Sequence, residues 1–231
     1  MNVILIGPPG AGKGTQAAVL EEQTQLKHIA SGELLRQHML QETERGLLAR
    51  SYVDTGELVP DDVVISMILD RVARPDCAAG VIFDGFPRNI GQAQALAGAL
   101  ARQNQQIDGV IFLNAPYEIL QKRIVGRQTC RACQTPYNIY YSPSREAGVC
   151  DLCGGDLYTR ADDNIETARY RLNVYFQQTM PLIKHYQALG RLHDIDGIGE
   201  VQEVTDRILR ALGYERAPTR TQQPLPVTRT V

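Results

Sequence analysis

The stretch Asn2–Thr15 reads NVILIGPPGAGKGT and decides the fold of this chain. A short apolar run, Val3–Ile6, ends at Gly7, and a glycine-rich loop then leads to Lys13. A buried strand, a glycine-rich loop and a helix start follow one another in the phosphate-binding loop (P-loop) of nucleotide-binding α/β proteins. We therefore expect a P-loop here. The simpler alternative is a glycine turn that only joins a strand to a helix.

This loop offers positive charge to a phosphate in three forms. Glycines let backbone N–H groups point inward, where a Cβ would block the ligand. The helix that begins near Lys13 adds the positive end of its dipole, and the side chain of Lys13 adds an ammonium group. The general P-loop pattern has Ser or Thr directly after the lysine. Here Gly14 stands between Lys13 and Thr15, so the loop belongs to a narrower class than the general pattern.

The composition is that of an ordinary globular protein. The 231 residues are 43% hydrophobic and 22% charged, which suits one sizeable α/β domain with insertions. The formal net charge of −2 argues against a general nucleic-acid binder. No apolar run approaches the roughly 18 residues of a membrane span, and no signal-peptide pattern is present. We expect a cytoplasmic monomer without nucleic-acid or membrane partners, since no heptads or unused apolar face suggest an oligomer.

Apolar runs and helical patterns alternate along most of the chain. After the first strand we expect strands at Leu26–Ala30, Val81–Phe83, Gly109–Leu113 and Arg191–Ile195. We expect helices at Lys13–Gln25, after a capping Ser31, at Leu47–Thr55, after Pro60, and at Asn89–Arg102, Pro116–Val125, Asn164–Leu189 (bent or interrupted at Pro181) and Glu200–Leu212. This alternation predicts right-handed βαβ units and one parallel five-stranded sheet flanked by helices, with ligands at the carboxyl ends of the strands.

Residues 126–163 break this alternation and contain four of the five cysteines. The pairs Cys130-x-x-Cys133 and Cys150-x-x-Cys153 are separated by sixteen residues, a spacing typical of a four-cysteine zinc site. Four thiolates leave no open position on the metal, so the zinc would be structural and would hold an insert too small to bury a core. Two disulfides or free thiols are the alternative, which a cytosolic chain disfavours.

Asp84 and several arginines are candidates for phosphoryl-transfer chemistry. Asp84 ends a predicted strand, where it could hold Mg²⁺ directly or through water, although in isolation it could equally be a helix cap. Six arginines lie near the ends of predicted elements: Arg36, Arg88, Arg123, Arg127, Arg160 and Arg171. Isolated arginines are usually solvated, but phosphoryl transfer needs several guanidinium groups around the moving charge.

With these motifs the sequence closely resembles the adenylate kinase family, in the long form whose lid binds zinc. The resemblance covers nearly all of residues 2–212. It rests on the four cysteines and on GPPGAGKGT at 7–15, ASGELLR at 30–36, GELVPDDVV at 56–64, FDGFPRNIGQA at 83–93, RIVGR at 123–127 and TRADDNIETARYR at 159–171. It implies reversible transfer of the terminal phosphoryl group from ATP to AMP, which gives two ADP and maintains adenine nucleotide balance. Mg²⁺ would accompany ATP, and Zn²⁺ would be structural.

The resemblance also implies a division of the chain into functional parts. Residues 1–29, 60–125 and 164–216 would form the P-loop core domain, residues 30–59 a helical AMP-binding insert, and residues 126–163 a small zinc-stapled lid. Asp162 and Asp163 match the acidic pair at the lid hinge. The composition of residues 217–231 predicts a disordered tail.

Site residues follow from the matching motifs. The ATP site would comprise Gly10, Ala11, Gly12, Lys13, Gly14, Thr15, Arg127, Pro136, Tyr137 and Gly199, with Arg123 joining from the lid. The AMP site would comprise Ser31, Arg36, Glu57, Leu58, Val59, Gly85, Phe86, Pro87, Arg88, Gln92, Arg160 and Arg171. The catalytic residues would be Lys13, Arg88, Arg123, Arg160 and Arg171.

Four positions depart from the commonest family pattern. Ser31 stands where Thr is usual, and Glu33 replaces an Asp that helps to hold the magnesium waters. Gly91 replaces a Pro, and Pro136 replaces a residue with a backbone N–H. None of these changes removes a charge from the expected reaction centre.

Two other functions stay open from the sequence. A related nucleoside monophosphate kinase would use another acceptor or a GTP donor. Gln92 and Ser31 favour adenine on the acceptor side, because an amide can pair with the donor and acceptor edge of that base. The cysteine insert could instead be a nucleic-acid or protein-binding module. However, residues 130–153 carry only Arg131 and Arg145 against Glu146 and Asp151, which is not a basic patch.

Overall fold

The computed structural model describes residues 1–214 of the chain. The strands of this part are β1 Asn2–Ile6, β2 Lys27–Ala30, β3 Val81–Asp84, β4 Gly109–Asn114, β5 Arg127–Cys130, β6 Pro136–Asn138, β7 Leu157–Tyr158 and β8 Leu192–Asp196. The α-helices are α1 Lys13–Gln23, α2 Ser31–Leu40, α3 Glu44–Thr55, α4 Asp61–Val72, α5 Ile90–Ala101, α6 Tyr117–Val125, α7 Ile165–Val174, α8 Pro181–Ala188 and α9 Val201–Ala211.

The main sheet is parallel and has five strands in the order β2-β3-β1-β4-β8. All five residues of β1 are buried, as expected of a central strand covered on both faces. Successive side chains point to opposite faces, so Ile4 joins one hydrophobic cluster while Val3 and Leu5 join the other. The predicted α/β fold with a five-stranded parallel sheet is confirmed.

The register of the sheet brings two loops to the same edge. Asp84, the last residue of β3, pairs with Leu5 of β1 on one side and with Ala30 of β2 on the other. The glycine-rich loop after β1 and the loop after β3 therefore start next to each other. This is the carboxyl edge of a parallel sheet, where α/β proteins bind ligands.

The starts of α2 and α3 differ from the sequence expectations. Ser31 does not cap α2, because the helix begins at Ser31 itself, and its hydroxyl donates to the carbonyl of Gly85 at 2.7 Å. That prediction was wrong because a partner 54 residues away in sequence takes the hydroxyl. Helix α3 begins at Glu44, three residues before the predicted start. Thr43 caps it by accepting from the N–H of Gly46.

The long helix predicted over 164–189 is interrupted in the structure. Helix α7 gives way to a π-helical stretch, Tyr175–Thr179, and α8 then starts at Pro181. A proline has no N–H to continue an α-helical ladder, which explains an interruption here. The expected effect of Pro181 is confirmed.

Strands β6, β5 and β7 form a separate antiparallel sheet within residues 126–163. The sequence patterns did not predict it, since its strands are only two to four residues long. The predicted tail, residues 217–231, lies outside the described residues. Within 1–214, no helix combines the length and the hydropathy needed to cross a lipid bilayer.

Candidate active site

The loop between β1 and α1 has the backbone of a phosphate cradle. Gly10 and Gly12 have φ angles of 84° and 96°, in the left-handed region that glycine adopts without strain. A Cβ on Gly7 would lie 2.4 Å from the carbonyl oxygen of Leu113, so the loop also requires glycine where it passes β4. The Nζ of Lys13 lies over this loop and donates to the carbonyls of Gly7 and Pro8 at 2.8 and 3.1 Å.

Lys13 lies among several other charged groups. Burial lowers the pKa of its ammonium to about 8, an effect that Asp84 opposes and that Arg88, Arg171 and Arg127 reinforce. Groups from three distant parts of the chain thus act on one ammonium. These partly buried groups carry an excess of positive charge, which favours an anionic ligand.

Asp84 is the acidic group beside this cluster. Burial alone would raise the pKa of its carboxyl, but the adjacent His28 and the charge of Lys13 outweigh burial and lower it. His28 Nε2 lies 3.4 Å from Asp84 Oδ2, and a Cβ on Gly14 would lie 3.4 Å from the same oxygen. An ionised carboxylate that faces the first turn of a phosphate-loop helix is a ligand suited to Mg²⁺.

A cleft opens next to this cluster between α2, α3 and the loop after β3. Its volume is about 600 Å³ when the space open to solvent is included. It is lined by Ser31, Gly32, Leu35, Arg36, Val53, Gly56, Glu57, Leu58, Val59, Val64, Gly85, Arg88, Gln92, Asp162 and Arg171. Most of the predicted AMP-site residues therefore come together. Phe86 does not line the cleft but belongs to the core, where it is 1% exposed.

The loop after β3 holds Arg88 at the cleft. Its Nε donates to the carbonyl of Gly85 at 2.8 Å, the same oxygen that accepts from the hydroxyl of Ser31 at 2.7 Å. The hydroxyl of Thr179, in the π-helical stretch, donates to the backbone carbonyl of Arg88 at 2.9 Å. Burial and the neighbouring Arg171 lower the pKa of Arg88 to about 10. The guanidinium is thus positioned and its charge is poorly compensated, which favours an anionic ligand.

Gln92 is buried, and both ends of its amide have partners. Its Oε1 accepts from the N–H of Arg88 at 2.8 Å, and its Nε2 donates to Oδ1 of Asp61 at 2.7 Å. Asp61 also accepts from Asn89 Nδ2. Sequence reasoning missed Asp61 as part of this site, because it was visible only as an acidic residue that opens a helix.

Two arginines meet the acidic pair at the end of the cysteine insert. Arg127 makes a bidentate ion pair with Asp163, whose side chain is fully buried. Nη1 of Arg171 lies 2.9 Å from Asp162 Oδ2 and 3.4 Å from Asp163 Oδ1. Nearby, burial lowers the pKa of Arg160 to about 10, and its Nε has no hydrogen-bond partner within residues 1–214. These contacts tie the insert to α7 beside the cleft.

Arg123 lies apart from the other arginines, across the glycine-rich loop. Its Nη1 and Nη2 lie 3.5 Å from the carbonyl of Ala11 and 3.2 Å from that of Gly197. Its guanidinium is also 5.6 Å from the ring centroid of Tyr141. Gly197 lies two residues before Gly199, the predicted adenine contact. Arg123 therefore contacts both the glycine-rich loop and the segment predicted to bind adenine.

The four cysteines of the insert lie close together. Their sulfur atoms all fall within 4.8 Å of one another, with separations as short as 3.3 Å between Cys133 and Cys153. A Zn–S bond of about 2.3 Å places the sulfurs of a tetrahedral site about 3.8 Å apart, so the cluster is compatible with a structural zinc. The hydroxyl of Tyr137 lies 3.5 Å from Cys150 Sγ and accepts from the N–H of Asp151, so this end of the side chain serves the cysteine cluster.

Comparison with known proteins identifies the family. The family model for adenylate kinase matches residues 5–191. The chain belongs to the adenylate kinase family. It is 47% identical to the adenylate kinase of Streptomyces avermitilis over 218 residues, which is 94% of this chain and 99% of the relative. It is 46% identical to the adenylate kinase of Syntrophobacter fumaroxidans over 213 residues, 92% of this chain and all of the relative.

Membership in the adenylate kinase family confirms several predictions together. The chain is a phosphotransferase, its nucleotide-binding character is supported, and a related kinase with another acceptor or a GTP donor is not favoured. The family supports Mg²⁺ with ATP.

Proposed function

We propose that this chain catalyses Mg²⁺-dependent, reversible transfer of a phosphoryl group from ATP to AMP, and that the buried cations around Lys13 carry the reaction. The observation that supports this most strongly is the position of Lys13, whose Nζ lies over the glycine-rich loop beside a cleft lined by Arg36, Arg88 and Arg171. Cations that repel one another in a buried site are stabilised by a polyanion. A transferring phosphoryl group between two nucleotides is such a polyanion.

The donor nucleotide would bind at the glycine-rich loop. The N–H groups of residues 10–15 and the Lys13 ammonium would hold the β- and γ-phosphates of ATP. Asp84 would hold Mg²⁺ directly or through water, and the ion would neutralise charge on those phosphates. Arg123 would act from α6, where it already lies beside the glycine-rich loop, and Arg127 would approach from the lid. Gly199 would contact the adenine. Pro136 and Tyr137 would contribute through the backbone or the face of the ring.

The acceptor nucleotide would bind in the cleft. Ser31, residues 57–59, Gly85 and Gln92 would enclose AMP, while Arg36 and Arg88 orient its phosphate. The phosphate of AMP is already an anion, so no general base is needed for it to attack. Catalysis then consists of aligning two phosphates and stabilising the charge between them.

We further propose that residues 126–163 act as a lid over residues 1–29, 60–125 and 164–216, with residues 30–59 as the AMP-binding insert. Closure would bring Arg160 onto the phosphates beside Arg171, which already lines the cleft, and would exclude water, which would otherwise accept the phosphoryl group. A zinc ion on the four cysteines would keep the lid folded. We place the enzyme in the cytoplasm as a monomer without nucleic-acid or membrane partners.

A panel of substrates tests this function. ADP formation is measured by a coupled assay with AMP, UMP, CMP or GMP as acceptor and with ATP or GTP as donor. We expect ATP with AMP to be the best pair and the Lys13→Ala variant to be inactive with it. A preference for another acceptor, or full activity of Lys13→Ala, would contradict the proposal.

A further inference from the structure

The amide of Gln92 can adopt only one orientation in its present surroundings. The N–H of Arg88 can only donate, so the atom 2.8 Å from it must be the amide oxygen. The carboxylate of Asp61 can only accept, so the atom 2.7 Å from its Oδ1 must be the amide nitrogen. A flip of the amide would place donor against donor and acceptor against acceptor, at a site where Gln92 is 1% exposed and water cannot compensate.

Asp61 is itself held in place at the start of α4. Asn89 Nδ2 donates to Oδ1 and Oδ2 of Asp61 at 2.9 and 3.0 Å, while Asn89 Oδ1 caps α5 by accepting from the N–H of Gln92. The carboxylate therefore belongs to a closed network that joins the first turns of two helices. It does not line the cleft, whereas Gln92 does.

Each end of the Gln92 amide keeps one unused hydrogen-bonding position. The Nε2 has a second hydrogen and the Oε1 a second lone pair. Adenine offers an amino donor next to the N1 acceptor, so its amino group pairs with Oε1 and its N1 with Nε2. Hypoxanthine offers a carbonyl acceptor next to an N1–H donor, so it can pair with the amide only if Oε1 and Nε2 exchange places.

We propose that Asp61 is a specificity-determining positioning residue that locks the Gln92 amide in the orientation that accepts adenine and rejects a 6-oxopurine. This inference rests on the proposed binding of the acceptor base at Gln92. Asp61 acts through Gln92 and touches no substrate. A buried polar group left without a partner by the wrong base is a strong source of discrimination in a binding site.

The test compares kcat/KM for AMP with kcat/KM for inosine monophosphate, with ATP as donor, in four chains: wild type, Asp61→Ala, Gln92→Ala and the double variant. We expect Asp61→Ala to reduce the ratio for AMP over inosine monophosphate on the order of tenfold, by raising the KM for AMP with little change in kcat. The ratio in the double variant should be no lower than in Gln92→Ala alone, because Asp61 acts on the base only through the amide of Gln92. A purely structural role of Asp61 would lower activity with both acceptors and leave the ratio unchanged.

Asp62→Ala is the matched control. Asp62 lies in the same first turn of α4 and carries the same charge, but it is exposed. We expect this variant to keep the wild-type ratio. If Asp61→Ala does not fold, Asp61→Asn replaces it. One amide oxygen must then serve the donors of both Asn89 and Gln92, and we expect a decrease of roughly threefold in the ratio.

The outcomes separate this inference from the proposed function. A ratio that falls in Gln92→Ala but stays at the wild-type value in the Asp61 variant would overturn the role of Asp61 alone. A wild-type ratio in Gln92→Ala would remove both the role of Asp61 and the base contact on which it rests. Additive losses in the double variant would also overturn the inference, since they would mean that Asp61 acts independently of the amide.

Discussion

Lys13 is the residue whose chemistry can be followed most directly by pH. Its pKa of about 8 in the folded chain is set mainly by burial. Above this pH the free enzyme loses the ammonium that would hold the phosphates of ATP. We therefore expect kcat/KM for ATP to fall as pH rises through about 8, while kcat falls only at higher pH because bound phosphates raise the pKa of the lysine.

Initial rates at subsaturating and saturating ATP, with AMP saturating, check this profile between about pH 6 and 10. The coupling enzymes need to be in excess at every pH so that only this chain limits the rate. A kcat/KM that stays level to the alkaline end of the range would contradict the assigned charge of Lys13.

Removal of either Lys13 or Arg88, both partly buried cations, tests the positive cluster. We expect Lys13→Ala and Arg88→Ala each to lower kcat/KM by at least about a hundredfold, the usual effect of losing a preorganised donor to a transition-state anion. The circular dichroism spectra of both variants should match the wild type, since each substitution removes a cation that is repelled by neighbouring cations. Lys184→Ala and Arg102→Ala are controls at exposed positions and should keep full activity. Full activity of either site variant would refute its role.

Two helical glycines allow the effect of close helix packing to be tested separately from the effect of helix propensity. A Cβ on Gly46 of α3 would lie 2.1 Å from the carbonyl oxygen of His38 in α2, whereas a Cβ on Gly98 of α5 would meet nothing within 4 Å. We expect Gly46→Ala to reduce the free energy of unfolding by about 2 kcal/mol or more through forced separation of α2 and α3.

The same change in α5 should have the opposite sign. Gly98→Ala is expected to add about 0.5–1 kcal/mol, because alanine loses less backbone entropy in a helix. Urea unfolding of both variants against wild type measures the two differences. Equal effects of the two substitutions would mean that the contact between α2 and α3 does not depend on Gly46.

The cysteine insert is expected to depend on its metal. Its antiparallel strands are two to four residues long and bury little, so we expect one zinc per chain by metal analysis. Cys150→Ser should abolish that zinc, lower the thermal unfolding midpoint and reduce activity. Cys77→Ser is the control, because Cys77 lies near Arg71 and Asp76, away from the cluster, and this variant should keep its zinc. Metal-free protein with a wild-type midpoint would contradict a structural zinc.

For the molecule as a whole, the sequence predicted those features of the fold and the site that depend on residues close together in the chain. The glycine loop, the helix start at Lys13 and the two cysteine pairs are short motifs whose chemistry follows from spacing. The partners of the site residues are not local. Ser31 meets Gly85, Asp61 meets Gln92, and Arg127 meets Asp163, at separations of 54, 31 and 36 residues. The tertiary fold brings these pairs together, so no periodicity in the sequence could have paired them.

The proposed mechanism requires one cluster of cations to hold two nucleotides with their phosphates facing each other and to exclude water. Consumption of ATP by purified enzyme, with and without AMP and with Mg²⁺ in both cases, tests it most directly. We expect two ADP for each ATP consumed when AMP is present, and less than about one hundredth of that rate when it is absent, because the phosphoryl group has no other acceptor within reach. Consumption of ATP at the same rate in both cases would contradict the account.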